Sequence, residues 1–529
     1  MRPINTIENS FSRTYKEITA RPINQSGMGL LRDWFETQDW SKNIQLDSVN
    51  EKAALLMTQI LEALDKYLPK KVIRIASDDK PWYTQHLKKL DRRRRREYNK
   101  NRRSQKYRQL NSNYLDKVSR AKKKYKRTMI DDIKEARPGQ WYSILKRISR
   151  YDQGKSHDIQ VEEISHLSPQ EQAERIADNQ AQISNSYKSV ELKDIPIPHF
   201  SVEDIPQFTP SQVKQYIYRL KSRKSTPLGD IPVKILKEFA LEISLPLCDL
   251  INSSIKKGHW ADCFKKEIIT PIPKEYPVLK MDMLRPISAL LSFNKIQEMI
   301  IVDLIVRDMT AKLDPTQYGN RKRTSITHYL VRMLHRILSE TDKNSRKEIK
   351  AVLCTFVDWQ QAYSRQSHVL GVQSFAENGV RPSLLPLLTN YFQSREMRVK
   401  WQGKLSEPRQ MPGSGAMGST IGNWEFDSQT NHNADCVPEE DRYKFVDDLT
   451  VLEVINLLNI GISSFNCKQQ VPSDLPIHGQ VVDSCHLKSQ EYLDRINLWT
   501  DAQQMIISDK KTKSMIVNFT NFSFIQGSN

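Results

Sequence analysis

The sequence predicts an α+β protein, and three observations lead to this fold class. Short runs rich in β-branched and aromatic residues alternate with amphipathic helical segments, without the strand–helix repeat of a doubly wound sheet. Two segments begin with residues that cap helices, and one long basic stretch has helical periodicity. A chain of 529 residues exceeds one ordinary core, so we expect about two to four domains or subdomains.

The first 204 residues are predicted to be mostly helical. Residues 1–80 form a helical N-terminal segment, clearest over 50–68, and residues 81–150 form a basic helical region. In that region Tyr98, Tyr107, Tyr114 and Tyr125 recur at near-heptad steps, which is typical of a long helix or a helical hairpin. Residues 151–204 are predicted to be a linker with one helix, because Ser168, Pro169 and Glu171 form a helix start.

Residues 205–529 contain the strand signals. A second helix start, with Thr209, Pro210 and Gln212, opens this region. Four runs combine β-branched and aromatic residues in the way that strands do. They are EIITPIPK (267–274), AVLCTFVD (351–358), MRVKWQG (397–403) and RYKFV (442–446).

The positive charge of the chain is concentrated in its basic helical region. The whole chain has a net charge of +19, and residues 88–127 alone contain nineteen Lys or Arg against three acidic residues. Such a concentration favours binding to the phosphates of a nucleic acid, and the interleaved tyrosines suit base stacking. The alternatives are a tyrosine seam packed on a partner helix and a nuclear-localisation signal. We expect nucleic acid to contact these cations: Arg92, Arg93, Arg94, Arg95, Arg96, Arg102, Arg103, Lys122, Lys123 and Lys124.

Cysteine usage and hydropathy indicate the compartment. The six cysteines have neither C-x-x-C spacing nor a nearby histidine at zinc-finger spacing, so we expect reduced thiols. The sequence contains no stretch of about 20 apolar residues and no secretory signal at its N-terminus. We therefore expect a soluble protein with no membrane partner, located in the nucleus or cytoplasm.

Three aspartates suggest a chemistry. Asp447 and Asp448 interrupt the strand-like run YKFVDDLTVL, and Asp358 ends the apolar run AVLCTFV. A strand end beside a hairpin tip would gather the three carboxylates at one sheet edge. Such crowding is tolerated when a divalent cation neutralises it, and oxygen ligands suit Mg²⁺ or Mn²⁺. The alternative is an ordinary solvated turn, where an Asp-Asp pair is common.

Six motifs follow one another between residues 269 and 519. They are ITPIPK…LRPIS (269–288), QYGNRKRTSITHYLV (317–331), FVDWQQAYSRQ (356–366), PGSGAMGSTIG (412–422), KFVDD (444–448) and SDKKTKSMIVNF (508–519). In this order they resemble the reverse transcriptases of non-LTR retrotransposons, the LINE-type, jockey-like elements. The resemblance covers about residues 205–519 and implies a polymerase with palm and fingers, whose palm is an antiparallel, ferredoxin-like sheet.

The resemblance also implies catalytic residues. Asp358, Asp447 and, less directly, Asp448 would hold two Mg²⁺ or Mn²⁺ ions, the device used for in-line phosphoryl transfer. Lys511 aligns with a lysine near the pyrophosphate, although lysines in such a KKTK run are usually exposed to solvent.

Further residues are implied to bind substrate. Lys274 and Arg285 align with cations that hold the triphosphate. The ring of Tyr363 would leave no room for a 2′-hydroxyl and so would select deoxynucleotides. Three glycines of the fourth motif would let the backbone approach template and nucleotide. They are Gly413, Gly415 and Gly418.

The sequence departs from this family at several points. Ser364 replaces the second acid of the third motif, Ala416 and Met417 replace a Pro-Gln pair, and Ser508 replaces an asparagine. About ten residues follow Phe519, so we expect the thumb to be missing. Residues 1–200 do not resemble the endonuclease that usually precedes this polymerase.

The function implied by the resemblance is RNA-directed DNA synthesis, weak or lost in this degenerate and truncated copy. Its partners would be an RNA template, a DNA primer and deoxynucleoside triphosphates, and the sequence leaves the oligomeric state open. Two alternatives remain. One is a non-catalytic RNA- or DNA-binding relic, and the other is an unstable product without function.

Overall fold

The computed structural model describes residues 15–76, 80, 82–134, 159–221, 227, 229–342, 350–415, 417–456 and 477–517. The chain divides into two compact units. The first comprises Met1–Leu31 and Ala63–Asp158, and the second comprises Arg32–Glu62 and Ile159–Asn529. The predicted α+β class is confirmed, because both units combine helices with sheets.

The first unit contains a two-stranded sheet and a helical hairpin. Strands β1 (Tyr15–Ala20) and β2 (Lys71–Ala76) pair antiparallel, which differs from the helical segment predicted for residues 1–80. Both strands are rich in β-branched residues, but their pairing joins segments more than fifty residues apart, which local periodicity does not report. The helix predicted over 50–68 is confirmed as Val49–Tyr67.

The basic region forms the helical hairpin. Its two helices are Gln85–Lys100 and Gln105–Lys134, so the helical prediction is confirmed for the described part of 81–150. Thr84 caps the first helix by accepting a hydrogen bond from the Leu87 N–H. The break predicted at Pro138 and Gly139 lies outside the described residues.

The second unit contains two sheets. The strands of the first are β3 (Lys266–Pro273), β4 (Leu284–Ala289), β6 (Glu396–Trp401), β7 (Lys404–Leu405) and β8 (Arg409–Gln410). Their order is β4-β3-β6-β7, with β8 also pairing β6, and the β3–β6 pair is parallel.

The second sheet carries the three aspartates. Its strands are β5 (Lys350–Val357), β9 (Arg442–Phe445), β10 (Asp448–Asn456) and β11 (Lys513–Val517). They are all antiparallel in the order β11-β5-β10-β9, the order of a split β-α-β-β-α-β arrangement. All four predicted strand segments are thus confirmed in the two sheets.

Helices cover both faces of this antiparallel sheet. On one face Tyr329, Met333 and Ile337, spaced four residues apart on helix Ile326–Thr341, pack against Val352 and Cys354. On the other face Val357 and Leu449 belong to a buried cluster with Phe426 and Ile496. Burial on both sides explains why β5 is apolar along nearly its whole length.

Helix Pro169–Ser184 is an integral part of the second unit. Its apolar face, which includes Ala173, Ile176 and Ala177, packs in one buried cluster with Val399 and Trp401 of β6. The predicted start of this helix is confirmed, because Ser168 and Glu171 form a capping box. Residues 151–204 were predicted to be a linker with one helix. The described part, residues 159–204, instead contributes to a core.

The remaining helices belong to the second unit, except Gln25–Thr37, whose residues are divided between the two units. The start predicted at Thr209 is confirmed as a capping box with Gln212. None of the helices in the described part of the chain is long and apolar enough to cross a membrane. The other helices are Gln25–Thr37, Ser41–Gln45, Pro210–Arg219, Val233–Glu238, Ala240–Lys257, Ser292–Met309, His368–Glu377, Leu385–Phe392, Thr420–Gln429 and Ile477–Ala502.

Candidate functional site

Asp358 is the first residue after β5 and is fixed from behind by the chain around Ser508. Its carbonyl accepts a hydrogen bond from the Ser508 N–H at 2.8 Å, and its own N–H donates to Thr512 Oγ1 at 3.4 Å. The apolar run AVLCTFV is buried in the sheet, and the strand ends where the first carboxylate meets solvent.

Asp447 and Asp448 lie at the tip of the β9–β10 hairpin. Phe445 pairs with Asp448, so Val446 and Asp447 form a two-residue turn. Leu449 pairs with Val357 in the antiparallel β10–β5 ladder. This register brings the hairpin tip beside the end of β5, and thus beside Asp358, as the sequence predicted.

A cleft of about 190 Å³ opens beside these aspartates. It collects side chains from segments that are far apart in the sequence, including six residues predicted for the site. These six are Lys274, Arg285, Asp358, Tyr363, Asp447 and Lys511. Four other residues predicted for the site do not line the cleft, namely Asp448, Gly413, Gly415 and Gly418.

The carboxylates accumulate negative charge at this edge. Asp447 is exposed to solvent, but partial desolvation raises its pKa, and the charge of Asp358 raises it further. Partial desolvation also raises the pKa of Asp448, with added effects of Asp447 and Asp358. The Lys511 ammonium lies 3.3 Å from Asp358 Oδ1, so a cation already sits against one of the three carboxylates.

A divalent ion fits part of this set. Within the described residues, no set of three or more His, Cys, Asp or Glu side chains is arranged to hold a metal ion. Mg²⁺, however, is usually bound by one or two carboxylates together with substrate phosphates and water. Two carboxylates such as Asp358 and Asp447 match this ligand number, and metal binding by Asp358, Asp447 and Asp448 stays a prediction.

Lys274 and Arg285 bring positive charge to the cleft from the β3–β4 hairpin. Lys274 is exposed to solvent, but partial desolvation lowers its pKa, and the nearby charges of Lys511 and Arg285 lower it further. The Lys274 ammonium donates to the Asp282 carbonyl at 2.7 Å, and the Arg285 side chain is exposed. Three cations that repel one another are suited to an anionic ligand.

Tyr363 forms part of the cleft wall. Its ring stacks on Phe426 with a centroid distance of 5.0 Å, and its carbonyl accepts the Gly415 N–H at 2.6 Å. Burial raises the pKa of the Tyr363 hydroxyl, which therefore stays protonated at neutral pH. The ring is held rigidly at the edge of the space where a ligand would lie.

The structure corrects the role predicted for two glycines. Gly413 and Gly415 are buried, so neither is available to a template or nucleotide. A Cβ on Gly413 would lie 2.7 Å from the Tyr187 ring, and one on Gly415 would lie 1.8 Å from Gln366 Oε1. These glycines let the loop pack against the protein itself. Gly418 has a φ of 133° and approaches the Ser288 carbonyl of β4.

The residues that depart from the family have different environments. The Met417 side chain lines the cleft, and its carbonyl accepts the Ser288 N–H at 2.8 Å. Ser364 also lines the cleft but is largely buried. Ala416 lies outside the described residues.

Sequence reasoning missed two residues near the cleft. Gln180, from helix Pro169–Ser184, lines it, and the only sequence signal was a polar residue among buried helix positions. Gln317 bonds the hairpin turn that carries Asp447. In the sequence, Gln317 stands out only as the first residue of the second motif, and the sequence assigned no role to that motif.

In the first unit, nine of the ten predicted nucleic-acid-binding cations are exposed. Arg94 is the exception and requires a correction. Its guanidinium bonds Asp91 and Asn111 and lies over the Tyr114 ring, so it joins the two helices of the hairpin. A largely buried Asp91 explains why this arginine turns inward.

The tyrosine stripe also stabilises the hairpin. Tyr98 on the first helix and Tyr107 on the second meet edge to face, with centroids 5.3 Å apart. The Tyr114 hydroxyl lies 3.0 Å from that of Tyr83. Part of the tyrosine stripe therefore packs between helices, which is the alternative to base stacking that the sequence left open.

Comparison with known proteins identifies no family. No protein-family model matches the chain, and neither does any curated protein. Among solved structures, the chain is similar to an apo telomerase from Candida tropicalis, truncated from its C-terminal domain, with a TM-score of 0.31 and 11% sequence identity. The match covers 54% of this chain and 64% of the telomerase chain.

Proposed function

We propose that this chain is an RNA-directed DNA polymerase, the reverse transcriptase of a non-LTR retrotransposon that its motifs resemble. The observation that supports the proposal best is the cleft. Asp358, Asp447, Lys274, Arg285, Tyr363 and Lys511 belong to four separate motifs of that resemblance, yet they line one space. An ordinary solvated Asp-Asp turn does not require such an assembly.

In this proposal Asp358 and Asp447 hold Mg²⁺ or Mn²⁺ ions together with the substrate phosphates. Bound there, the ions would activate a primer 3′-hydroxyl and stabilise the charge of the departing pyrophosphate. Partial desolvation and crowding with Asp358 destabilise the charged form of Asp447, and a divalent cation would relieve both effects.

The cations of the cleft bind the triphosphate. Arg285 is suited to a bidentate phosphate contact, whereas Lys274 and Lys511 act as point charges. The Lys511 ammonium lies 3.3 Å from Asp358 Oδ1. A metal ion held by Asp358 would compete with the ammonium for this carboxylate and so would leave Lys511 free to contact the phosphates.

Tyr363 selects the sugar in this proposal. Its stacking on Phe426 keeps the ring in place, so a 2′-hydroxyl on the incoming nucleotide would meet a rigid wall. The polymerase would therefore prefer deoxynucleotides. Tyr363→Ala should accept ribonucleotides better, by about tenfold or more relative to deoxynucleotides.

Polymerase activity is expected to be weak because alignment, rather than charge, is impaired. Met417 occupies the cleft where the family has a glutamine, so a polar contact expected beside the template base pair is absent. Phosphoryl transfer depends mainly on alignment, and a displacement of about 1 Å costs on the order of a hundredfold in rate.

Primer extension tests the proposal. The full chain is incubated with an RNA template, a labelled DNA primer and deoxynucleoside triphosphates, with Mg²⁺ and separately with Mn²⁺. Extension should occur, and Asp447→Asn should abolish it without changing nucleic-acid affinity. The control Asp435→Asn removes an exposed carboxylate away from the cleft and should leave extension unchanged. No extension with either metal by a folded chain would contradict the proposal.

A second function, binding of nucleic acid without catalysis, is favoured by the basic hairpin of the first unit. Its exposed cations do not depend on the carboxylates of the cleft, so a relic could retain affinity alone. Divalent-ion binding separates the two proposals. A polymerase should bind Mn²⁺ and lose that binding in Asp358→Asn, whereas a binding relic has no need of the ion.

A further inference from the structure

Gln317 lies beside the turn that carries Asp447, and its side chain is almost fully buried. Its Oε1 accepts hydrogen bonds from the Val446 N–H at 2.9 Å and the Gly319 N–H at 2.8 Å. Its Nε2 donates to the Val446 carbonyl at 3.3 Å. One side chain thus bonds both polar backbone groups of the residue before Asp447.

The turn needs such support because of its backbone conformation. Val446 has a φ of 60°, in the left-handed region that β-branched residues rarely adopt. Residues held in this region persist only when their surroundings fix them. With the amide removed, Val446 would lose the bonds that offset its strain, and Asp447 follows it directly in the chain.

The chain around Gln317 is built to deliver the amide to this place. The Tyr318 N–H donates to the Lys444 carbonyl at 2.9 Å, and the Lys444 N–H donates to the Thr316 carbonyl at 3.0 Å. This segment therefore runs alongside β9 as an additional edge. Gly319 permits the approach, because a Cβ there would lie 2.4 Å from the Val446 nitrogen.

We propose that Gln317 is a positioning residue for Asp447. Its amide holds the Val446–Asp447 turn in the one conformation that directs Asp447 into the cleft beside Asp358. This inference rests on the proposed function, in which Asp447 must be aligned with Asp358. Loss of the amide should reduce the rate of the chemical step much more than it weakens nucleotide binding, because Gln317 does not line the cleft.

Two measurements on the full chain test the inference. The first is primer extension, which yields kcat and the KM for deoxynucleotide. The second is hydrogen exchange by mass spectrometry at the amides of Val446 and Gly319, which needs no activity. The variants are Gln317→Ala and the similarly sized Gln317→Met, whose thermal unfolding shows whether they fold. The matched control is Gln373→Ala, which removes an amide that bonds the Asp194 carbonyl away from the cleft.

In Gln317→Met we expect exchange at Val446 to accelerate at least about tenfold and kcat to fall on the order of a hundredfold, with KM changed by less than about threefold. Gln317→Glu keeps an acceptor for both N–H groups and should retain the exchange protection. The control should match the parent chain in both measurements.

Other outcomes overturn the inference, and they are distinct from failure of the proposed function. Faster exchange with an unchanged kcat would mean that the amide holds the turn without positioning Asp447. Unchanged exchange in both Gln317→Ala and Gln317→Met would mean that it does not hold the turn. If the parent chain extends no primer, the proposed function fails by itself. The exchange measurement still shows whether the Gln317 amide holds the turn: faster exchange in the variants means that it does, and unchanged exchange means that it does not.

Discussion

The Lys444 ammonium lies 2.6 Å from the Asp314 carboxylate, and both side chains are almost fully buried. Lys444 also donates to the Asn431 carbonyl at 2.8 Å, and Asp314 accepts from Arg442 Nε at 3.1 Å. Lys444 belongs to β9, three residues before Asp447. The strand that leads into the candidate site is therefore anchored by a buried ion pair.

Asp314→Asn should destabilise the chain by about 3–5 kcal/mol, because it leaves Lys444 buried without its counter-charge. Burial alone would raise the pKa of Asp314, but the charge of Lys444 and the hydrogen bonds from Lys444 and Thr316 together outweigh it and lower the pKa to about 2. This value lies below the pKa of 3.8 that Asp314 has in the unfolded chain. The ionised Asp314 therefore stabilises the folded state above about pH 4, and this stabilisation is lost as the pH falls through 2. Urea unfolding at pH 7 measures the loss. Glu491→Gln, which breaks an exposed pair with Arg495, should cost less than about 0.5 kcal/mol.

Asp427→Asn should stabilise the chain at pH 8. Burial raises the pKa of Asp427 to about 7, and the opposing effects of the Asn320 side chain and the Arg321 charge are too small to offset it. The folded state then keeps a proton that the unfolded state releases, so stability falls as the pH rises from about 4 to 7. The substitution should make stability less dependent on pH and should raise the free energy of unfolding by roughly 2–4 kcal/mol at pH 8. Thermal unfolding across the pH range is the measurement, and an equally steep profile in the variant would refute the prediction.

The exposed cations of the basic hairpin should dominate the salt dependence of nucleic-acid binding. Each phosphate neutralised on a single strand contributes about −0.7 to the slope of log affinity against log salt. Replacing Lys122, Lys123 and Lys124 by glutamine should therefore reduce the slope by up to about 2. Arg94→Gln should leave the slope nearly unchanged, since its guanidinium is bound within the hairpin. Fluorescence anisotropy with single-stranded RNA measures both, and equal slopes in all three proteins would point to binding elsewhere.

Met417→Gln, combined with Ala416→Pro, should raise primer extension by about tenfold or more. The substitutions restore the Pro-Gln pair of the family and replace an apolar side chain that lines the cleft. Asp447→Ala in the restored protein should abolish extension. A restored protein that folds and binds Mg²⁺ but remains inactive would favour the non-catalytic function.

Gly415→Ala should destabilise the chain by about 1–3 kcal/mol through overpacking. Its new Cβ would lie 1.8 Å from Gln366 Oε1 and 3.2 Å from the Tyr363 carbonyl oxygen, and Gln366 is fully buried. Gly29→Ala is the control. It lies in helix Gln25–Thr37 with nothing within 4 Å of the added Cβ, so it should stabilise by about 0.5–1 kcal/mol. Thermal unfolding of both variants gives the comparison, and equal effects would contradict it.

Features that depend on neighbouring residues were open to prediction from the sequence alone. The capping boxes at Ser168 and Thr209 are closed by residues three positions away, so their sequence patterns were sufficient. Strands β3, β5, β6 and β9 of the second unit, and the hairpin bearing Asp447 and Asp448, follow from β-branched and aromatic runs interrupted at a turn. The ordered motifs then indicated which side chains would meet in one cleft.

Only the tertiary structure decided which partner each polar or small residue takes. Gln317 reaches Val446 across 129 positions, and Asp314 pairs with Lys444 across 130, so periodicity could not reveal either contact. The same holds for Arg94, which turns into the hairpin, and for Gly415, which makes room for protein instead of substrate. A sequence pattern reports that a residue is polar, small or on an apolar face. The burial of a charge or an amide, and hence the partner it must find, depends on which distant segments pack over it.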